Sequence, residues 1–241
     1  MNFEERAFSF TELKWDTVFF GIPCAKAVLR GPVSKRDWDG LKELFNGFRF
    51  IVIQNNDSEP VNSKLVGTET AAFLADVNVQ FVKKIESAEN SGQADGISIF
   101  QSMPRDDRIL ELADFRFSRF IEDPELALRG GDGVYREWIK NSFGKPEKFF
   151  AVAESGGEIC GYLLHSYEKD FCTIELIAVS DKIKKKGVGT GMFESVERAA
   201  GERGCSEIRV GTQLRNLPAI NFYHKLGCRQ AGCHQVYHLW R

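Results

Sequence analysis

The chain is patterned almost throughout, and the switches between period two and period three to four mark its elements. Residues 8–29 are aromatic and β-branched enough for two short strands around Gly21-Ile22-Pro23. Residues 34–48 predict a helix, with Ser34 as its cap and Trp38, Leu41, Leu44 and Phe45 at helical spacing. A short apolar strand follows at 50–54, then a brief helix near 62–65. A long strand spans 70–84, where Val77, Val79 and Phe81 alternate with polar residues. Residues 86–96, rich in Ser, Asn, Glu and Gly, predict a linker.

The second half starts with a strand at 97–101 and a helix at 105–113 that turns Ile109, Leu110 and Ala113 inward. Residues 114–133 mix aromatics, arginines and carboxylates without a regular period, as binding loops often do. A helix at 133–143 carries Tyr135, Trp138 and Ile139. Strands at 149–154 and 159–167 form a hairpin through Ser155-Gly156-Gly157 and lead into a central strand at Cys172. The order ends with a helix from Gly187, a strand at 206–213, a helix before Gly227 and a terminal strand. The Gly187 helix bears an apolar stripe of Val188, Met192, Val196 and Ala199 or Ala200. No internal repeat is visible. The expected organisation is an N-terminal α/β subdomain over 1–90 and a second α/β domain over 97–241.

Composition removes several classes of function. A content of 43% hydrophobic and 27% charged residues in 241 is ordinary for a globular protein. The net charge of -2 makes no case for nucleic acid or membrane binding, and no apolar run approaches the ~20 residues of a membrane span. An early acidic N-terminus without a signal pattern points to a cytoplasmic protein. The six cysteines are scattered with no Cys-x-x-Cys pair. Cys228, Cys233, His234 and His238 fall on alternating faces of the terminal strand, so core packing is expected there and no metal.

Chemistry concentrates in residues 173–191, TIELIAVSDKIKKKGVGTG. An apolar strand aimed at glycine-rich backbone beside a helix start suits phosphate. Glycines permit close approach, and the first-turn N–H groups point at the anion. Lys182, Lys184, Lys185 and Lys186 add positive charge.

The order strand, phosphate turn, helix, strand, helix, strand resembles the core of the GNAT superfamily of acyl-CoA-dependent N-acyltransferases. The phosphate signature of that superfamily has its counterpart in Lys184-Lys185-Lys186-Gly187-Val188-Gly189, with Lys184 in place of the usual Arg or Gln. The second signature is carried by Asn216, Ala219, Tyr223 and Lys225-Leu226-Gly227. Leu13-Lys14-Trp15-Asp16 and Phe19-Phe20-Gly21, with Ser118-Arg119-Phe120 and the ending Tyr237-His238-Leu239-Trp240-Arg241, resemble the dTDP-fucosamine acetyltransferase family. The resemblance implies a GNAT fold, a mixed central sheet flanked by helices. It also implies transfer of an acetyl or short hydroxyacyl group to the amine of a dTDP-linked amino-dideoxy sugar for bacterial surface-glycan synthesis, with acyl-CoA as co-substrate. A homodimer is compatible with the strand-rich ends.

The resemblance also implies residue roles. Ile177, Ala178 and Val179 would serve the pantetheine arm, with a backbone N–H near Ile177 for the oxyanion. Lys184, Lys186, Gly187, Val188, Gly189 and Thr190 would hold the pyrophosphate, and Asn216 and Ala219 the pantetheine end. Tyr223 would be the general acid, since a phenol keeps its proton at neutral pH. For the base, Glu175, His165, Asp170 and a water chain remain open, and Glu175 reads equally well as a paired carboxylate. Period two places Glu175 opposite both Ile174 and Leu176. Trp15, Asp16, Phe19, Arg119 and Tyr135 are the candidates for the sugar nucleotide, through stacking and an arginine fork. The alternatives are a GNAT enzyme for another amine (a protein N-terminus, polyamine or antibiotic) and a non-catalytic acyl-CoA-binding module.

Overall fold

The computed structural model describes residues 7–86, 96–181 and 187–241. Most of the expected linker therefore lies outside the described residues, as do Lys182, Lys184, Lys185 and Lys186.

The elements run β1 (Phe8–Glu12), α1 (Lys14–Phe20), β2 (Cys24–Leu29), α2 (Lys35–Leu44), β3 (Phe50–Asn55), α3 (Pro60–Glu69) and β4 (Phe73–Lys84). After the undescribed stretch come β5 (Ile97–Gln101), α4 (Asp107–Leu110), α5 (Arg119–Glu122), α6 (Pro124–Ala127) and α7 (Val134–Ser142). Then follow β6 (Phe149–Ser155), β7 (Glu158–Tyr167), β8 (Phe171–Val179), α8 (Val188–Glu202), β9 (Glu207–Gln213), α9 (Leu217–Lys225) and β10 (Arg229–Trp240). All the strands among the described residues join one ten-stranded sheet in the order β1-β2-β3-β10-β4-β9-β8-β7-β6-β5.

Alternation along the strands sends apolar residues to both faces. Under α2 and α3, Trp38, Leu41 and Val66 pack on Ile51, Ile53, Tyr237 and Leu239. On the same face, α8 and α9 place Met192, Phe193, Val196 and Tyr223 on Val79, Phe81, Ile174 and Val210. The opposite face carries two further clusters. One is under α4 and α7, with Ile109, Ile139, Tyr162 and Leu176. The other is under α1, α5 and α6, with Phe20, Phe50, Phe120 and Leu126. Tyr135 packs against both.

No repeat is legible in the residues, yet the topology repeats. The runs β2-α2-β3-α3-β4 and β8-α8-β9-α9-β10 each hold a parallel pair joined by a helix, then a second helix and a strand. Their last strands are exchanged: β10 pairs with β3, and β4 pairs with β9. Period and crossover geometry define such a repeat, and neither needs residue identity.

Three local expectations are corrected. Trp15 to Phe20 are helical rather than extended. Thr17 N–H donates to Leu13 O at 2.8 Å, Trp15 stacks on Phe19 at 4.9 Å, and Gly21 closes the turn at φ 68°. Only one side of that helix is covered, with Phe20 buried and Val18 84% exposed, which is why its run of apolar residues reads as a strand. Residues 114–133 contain two four-residue helices, α5 and α6. The Ser118 hydroxyl accepts from Phe120 N–H at 3.2 Å, and Asp123 accepts from Glu125 and Leu126 N–H at 2.9 and 3.3 Å. Helices of one turn show no period. α4 is likewise shorter than the expected 105–113.

Candidate active site

The parallel strands β8 and β9 pair only from Phe171↔Glu207 to Ile174↔Val210 and then part. By contrast β2 and β3 pair along their full length, Cys24↔Phe50 to Leu29↔Asn55. The opening is therefore confined to the second repeat. A bulge coincides with its start: Leu164 faces Leu176 and His165 faces Ile174, leaving Glu175 unmatched. Ile174 joins the α8 side and Leu176 the α7 side, so strict alternation fails there and the expected direction of Glu175 with it.

Beyond the bulge, Ser180 N–H donates to Cys160 O of β7 at 2.9 Å. In an antiparallel pair, hydrogen-bonded and non-hydrogen-bonded positions alternate. Ile177 and Val179, opposite Leu163 and Gly161, therefore direct their N–H and C=O groups away from β7 into the opening. A cleft of about 470 Å³ lies along this edge, lined by Leu112, Phe115, Arg116, Ile177, Val179 and Asn216 among others. Arg116 pairs with Asp181 across its exposed end at 3.5 Å.

The start of α8 faces the end of β8. Gly187 takes φ 78°, which only glycine adopts without strain, and Gly191 N–H makes the first intrahelical bond to Gly187 O at 2.9 Å. The N–H groups of Val188, Gly189 and Thr190 precede that bond and have no helical acceptor. A Cβ on Gly189 would lie 3.3 Å from Phe222 of α9, so glycine sets how closely the two helices approach. Gly189→Val is expected to cost about 1–3 kcal/mol by overpacking. Thermal melting measures that loss, and a melting curve identical to wild type would remove Gly189 from the helix contact. On α9, the Asn216 side chain accepts from Ala219 N–H at 3.2 Å and donates to Thr212 at 3.3 Å, which fixes it at the cleft edge.

The other face of the sheet bears a polar floor between its two apolar clusters. Asp76, Asn78 and Gln80 project from the central strand β4, all half-buried, on the face opposite Val79 and Phe81. Asn78 and Gln80 lie beside Gly211 of β9, where a Cβ would meet Asn78 Oδ1 at 2.7 Å and Gln80 Nε2 at 2.8 Å. Burial pushes the Asp76 carboxyl up to about 6, against the pull of the Arg119 guanidinium. Burial also raises Asp16, again against Arg119 and then Lys26. Tyr135 stacks toward Trp138 at 6.3 Å and meets Phe120 edge-on at 5.9 Å. Arg119 lies over the Phe120 ring at 4.7 Å, and its Nε is buried without a hydrogen-bond partner among the described residues.

Residues 108–228, half of the chain, match the acetyltransferase (GNAT) family. The chain belongs to that family. Among relatives, the spore coat polysaccharide biosynthesis protein SpsD of Bacillus subtilis (strain 168) is 28% identical over 55% of this chain and 46% of its own length. A streptothricin acetyltransferase from Escherichia coli is 30% identical over 45% of this chain and 63% of its own. This chain thus spans about half to two thirds of the relatives it matches. A GCN5-related N-acetyltransferase from Sphaerobacter thermophilus shares the fold, with a TM-score of 0.63 at 12% identity over 97% of this chain and 76% of that one.

On this GNAT sheet the expected residues fall into three groups. Ile177, Ala178, Val179 and Asn216 line one cleft, and Val188, Gly189 and Thr190 form the helix start near it. Trp15, Asp16, Phe19, Arg119 and Tyr135 gather on the polar-floor side. Trp15 and Trp138 are both about 40% exposed, as 39% and 40%. The third group stands apart. Tyr223 is 3% exposed and packs on Phe81 and Phe222 with Ala219 nearby, beneath the opening rather than on the cleft wall. Glu175 is held by Lys148 at 2.6 Å and by Trp138 Nε1–H at 3.2 Å, with 8% of its side chain exposed. It is thus a paired carboxylate.

His165 and Asp170 lie before the opening. His165 is buried against Phe149 and Tyr167, with its pKa pushed down to about 4 by burial, and Asp170 O accepts from Ser206. Cys233, His234 and His238 turn to separate partners, Ser58, Asp57 and Asp123. A larger hollow of about 950 Å³ includes Lys83, Glu197 and Arg229 but none of the strand-opening residues, and Lys83 there is neutralised by Glu197 at 2.6 Å. The smaller cleft, with its free backbone groups, is the better candidate. Sequence reasoning missed Asp76 and Lys26. For Asp76 the signal was present, as three polar residues on one face of a strand too apolar to be an edge.

Proposed function

We propose that the protein is an acyl-CoA-dependent N-acyltransferase whose acceptor is the amine of a dTDP-linked amino-dideoxy sugar, serving bacterial surface-glycan synthesis. The observation that carries this reading is the β8–β9 opening, a cleft with outward backbone groups beside a helix start that has no side-chain cap. The other face of the sheet adds a polar floor with a raised carboxyl and a guanidinium whose Nε is buried. The donor set fits acyl-CoA, because outward strand groups match the amides of a pantetheine arm and a glycine-capped helix start matches a pyrophosphate. The likeness to a protein named for spore coat polysaccharide biosynthesis supports a sugar acceptor.

In this mechanism Asp76 takes a proton from the acceptor ammonium, which frees the amine's electron pair to attack the thioester carbon. The Ile177 N–H donates to the carbonyl oxygen as it gains charge. Asp76 returns its first proton to solvent and takes the second proton from the nitrogen of the tetrahedral adduct as the C–S bond breaks. The sulfur departs as a thiolate that accepts a hydrogen bond from Tyr223 and is protonated by solvent. Trp15, Phe19 and Tyr135 present aromatic surface for a nucleobase, and Arg119 a fork for phosphate.

The likeness to a streptothricin acetyltransferase favours a second reading, an antibiotic amine as acceptor. A cationic acceptor must approach Arg119 and Lys26, which repel it.

Thermal unfolding with acetyl-CoA, CoA, dTDP and UDP tests the proposal. A ligand at ~100 times its dissociation constant adds about 2.7 kcal/mol. Stabilisation by CoA and by dTDP, but not by UDP, is expected. CoA alone would move the acceptor to the second reading, and no response to CoA would overturn the acyl-CoA assignment.

A further inference from the structure

The polar floor holds a pair of amides to which acyl transfer gives no part. Directly opposite residues of neighbouring strands share a face, so the register fixes what borders each one. Asn78 lies between His234 of β10 and Gln213 of β9, and Gln80 lies between Gly232 and Gly211. Gln80 therefore has no side chain directly beside it on either strand. The amides use that space. Gln80 Nε2–H donates to Asn78 Oδ1, and both atoms lie over Gly211, where a Cβ would come within 2.8 and 2.7 Å of them. A larger residue at 211 would push the bonded pair off the floor. On the β10 side Asp57 borders the slot, its Oδ1 3.2 Å from where a Gly232 Cβ would stand.

The internal bond uses one donor and one acceptor and leaves the rest facing outward. Asn78 Nδ2 keeps two donors, and Gln80 Oε1 keeps its lone pairs. Among the described residues neither atom has a protein partner, and neither is enclosed, so both are open to a ligand. A neutral donor beside a neutral acceptor is completed by a hydroxyl, which gives one hydrogen bond and takes another. A phosphate would leave the Gln80 oxygen unmatched and face the Asp57 carboxylate, and an ammonium would leave the Asn78 donors unmatched. Asp76, Asn78 and Gln80 follow at alternate positions of one strand, about 7 Å apart in succession, which is the scale of one sugar ring with its substituents.

We propose that Asn78 and Gln80, laid over Gly211, bind ring hydroxyls of the acceptor and select for a hydroxyl next to the amine that Asp76 holds. This rests on the acyltransferase reading and adds a specificity to its acceptor. Gly211 is part of the site because the amide pair occupies the place of its missing side chain.

Steady-state kinetics of wild type, Gly211→Ala and Gln80→Met test the pair, with dTDP-amino-dideoxy sugars that carry or lack the hydroxyl next to the amine. Wild type should prefer the hydroxylated acceptor by about tenfold or more in kcat/KM, because the analogue lacking it leaves polar groups unmatched. Both variants should lose about tenfold on the hydroxylated acceptor and nothing on the other, which erases the preference. Acetyl-CoA affinity should stay at its wild-type value. Gly211→Ala should melt no lower than wild type, because Gly211 has no positive φ and alanine lessens the backbone entropy lost on folding. A preference that survives both substitutions overturns the amide site and leaves the proposed function standing. A fall in melting temperature and acetyl-CoA affinity that accounts for the lost activity also overturns it, since the pair would then be structural. If no dTDP-amino sugar is acetylated, the proposed function falls, and glucosamine against cyclohexylamine puts the same question to the pair. A preference for glucosamine that Gly211→Ala erases supports the site there, and its absence overturns it.

Discussion

Asp76→Asn is expected to lower kcat/KM for the acceptor by about 10²–10⁴, the range for loss of a positioned general base. Acetyl-CoA binding should be unchanged, because Asp76 lies on the acceptor face and not in the cleft. The pH dependence supplies the sharper readout. Wild-type kcat/KM should climb through a pKa of about 6 as the Asp76 carboxyl ionises, and the variant should lose that limb. Stability should move the opposite way. The folded-state pKa is raised above 3.8, chiefly by burial, so the favourable contribution is full below pH ~3.8 and is lost as pH rises to about 6. Above that, wild type carries the cost of a partly desolvated carboxylate. Asp76→Asn should therefore be more stable than wild type at pH 7.5, by about 1–2 kcal/mol once partial exposure is allowed for. That gain should vanish near pH 4. Full activity in the variant, or an acid limb that persists, would remove Asp76 from the base role and leave the water chain.

The residues reveal this fold unevenly, for physical reasons. Elements whose period survives for two turns or more were legible: α2 with its Ser34 cap, α8 with its Met192 and Val196 stripe, and the hairpin at Gly156-Gly157. The glycine start of α8 and the Asn216 cap of α9 were legible because backbone geometry and a cap impose their own residue types. The pairing of Glu175 was foreseen, but its direction was misjudged because a bulge adds one residue, and no pattern of period two announces it. Asp76 and Lys26 escaped notice for a different reason. Their surroundings come from β2, β4, α1 and α5, elements far apart in the chain that meet only on the folded sheet. The exchange of β4 and β10 is a property of pairing, and pairing partners cannot be read from one strand.

Tyr223→Phe should lower kcat by about tenfold or more without changing acetyl-CoA affinity. The modest size follows from burial. The phenol is enclosed by Phe81 and Phe222 at 5.6 and 5.4 Å between ring centroids, and burial pushes its pKa well above its usual value. It therefore keeps its proton at every working pH, but it is a weaker acid than a departing thiol with a pKa of about 8.5. Full proton transfer to the sulfur is uphill, so Tyr223 acts mainly by donating a hydrogen bond as the thiolate forms. Such a bond to a charged group contributes about 1.5–3 kcal/mol, which is a factor of roughly ten to a hundred or more. The leaving group offers a direct check. A thioester of a more acidic thiol needs less help from a donor, so the ratio of wild-type to Tyr223→Phe rates should shrink along a series of falling thiol pKa. A ratio that stays constant along that series, with the same melting temperature in both proteins, would reduce Tyr223 to a core side chain. It would also leave the departing sulfur to water entering the strand opening.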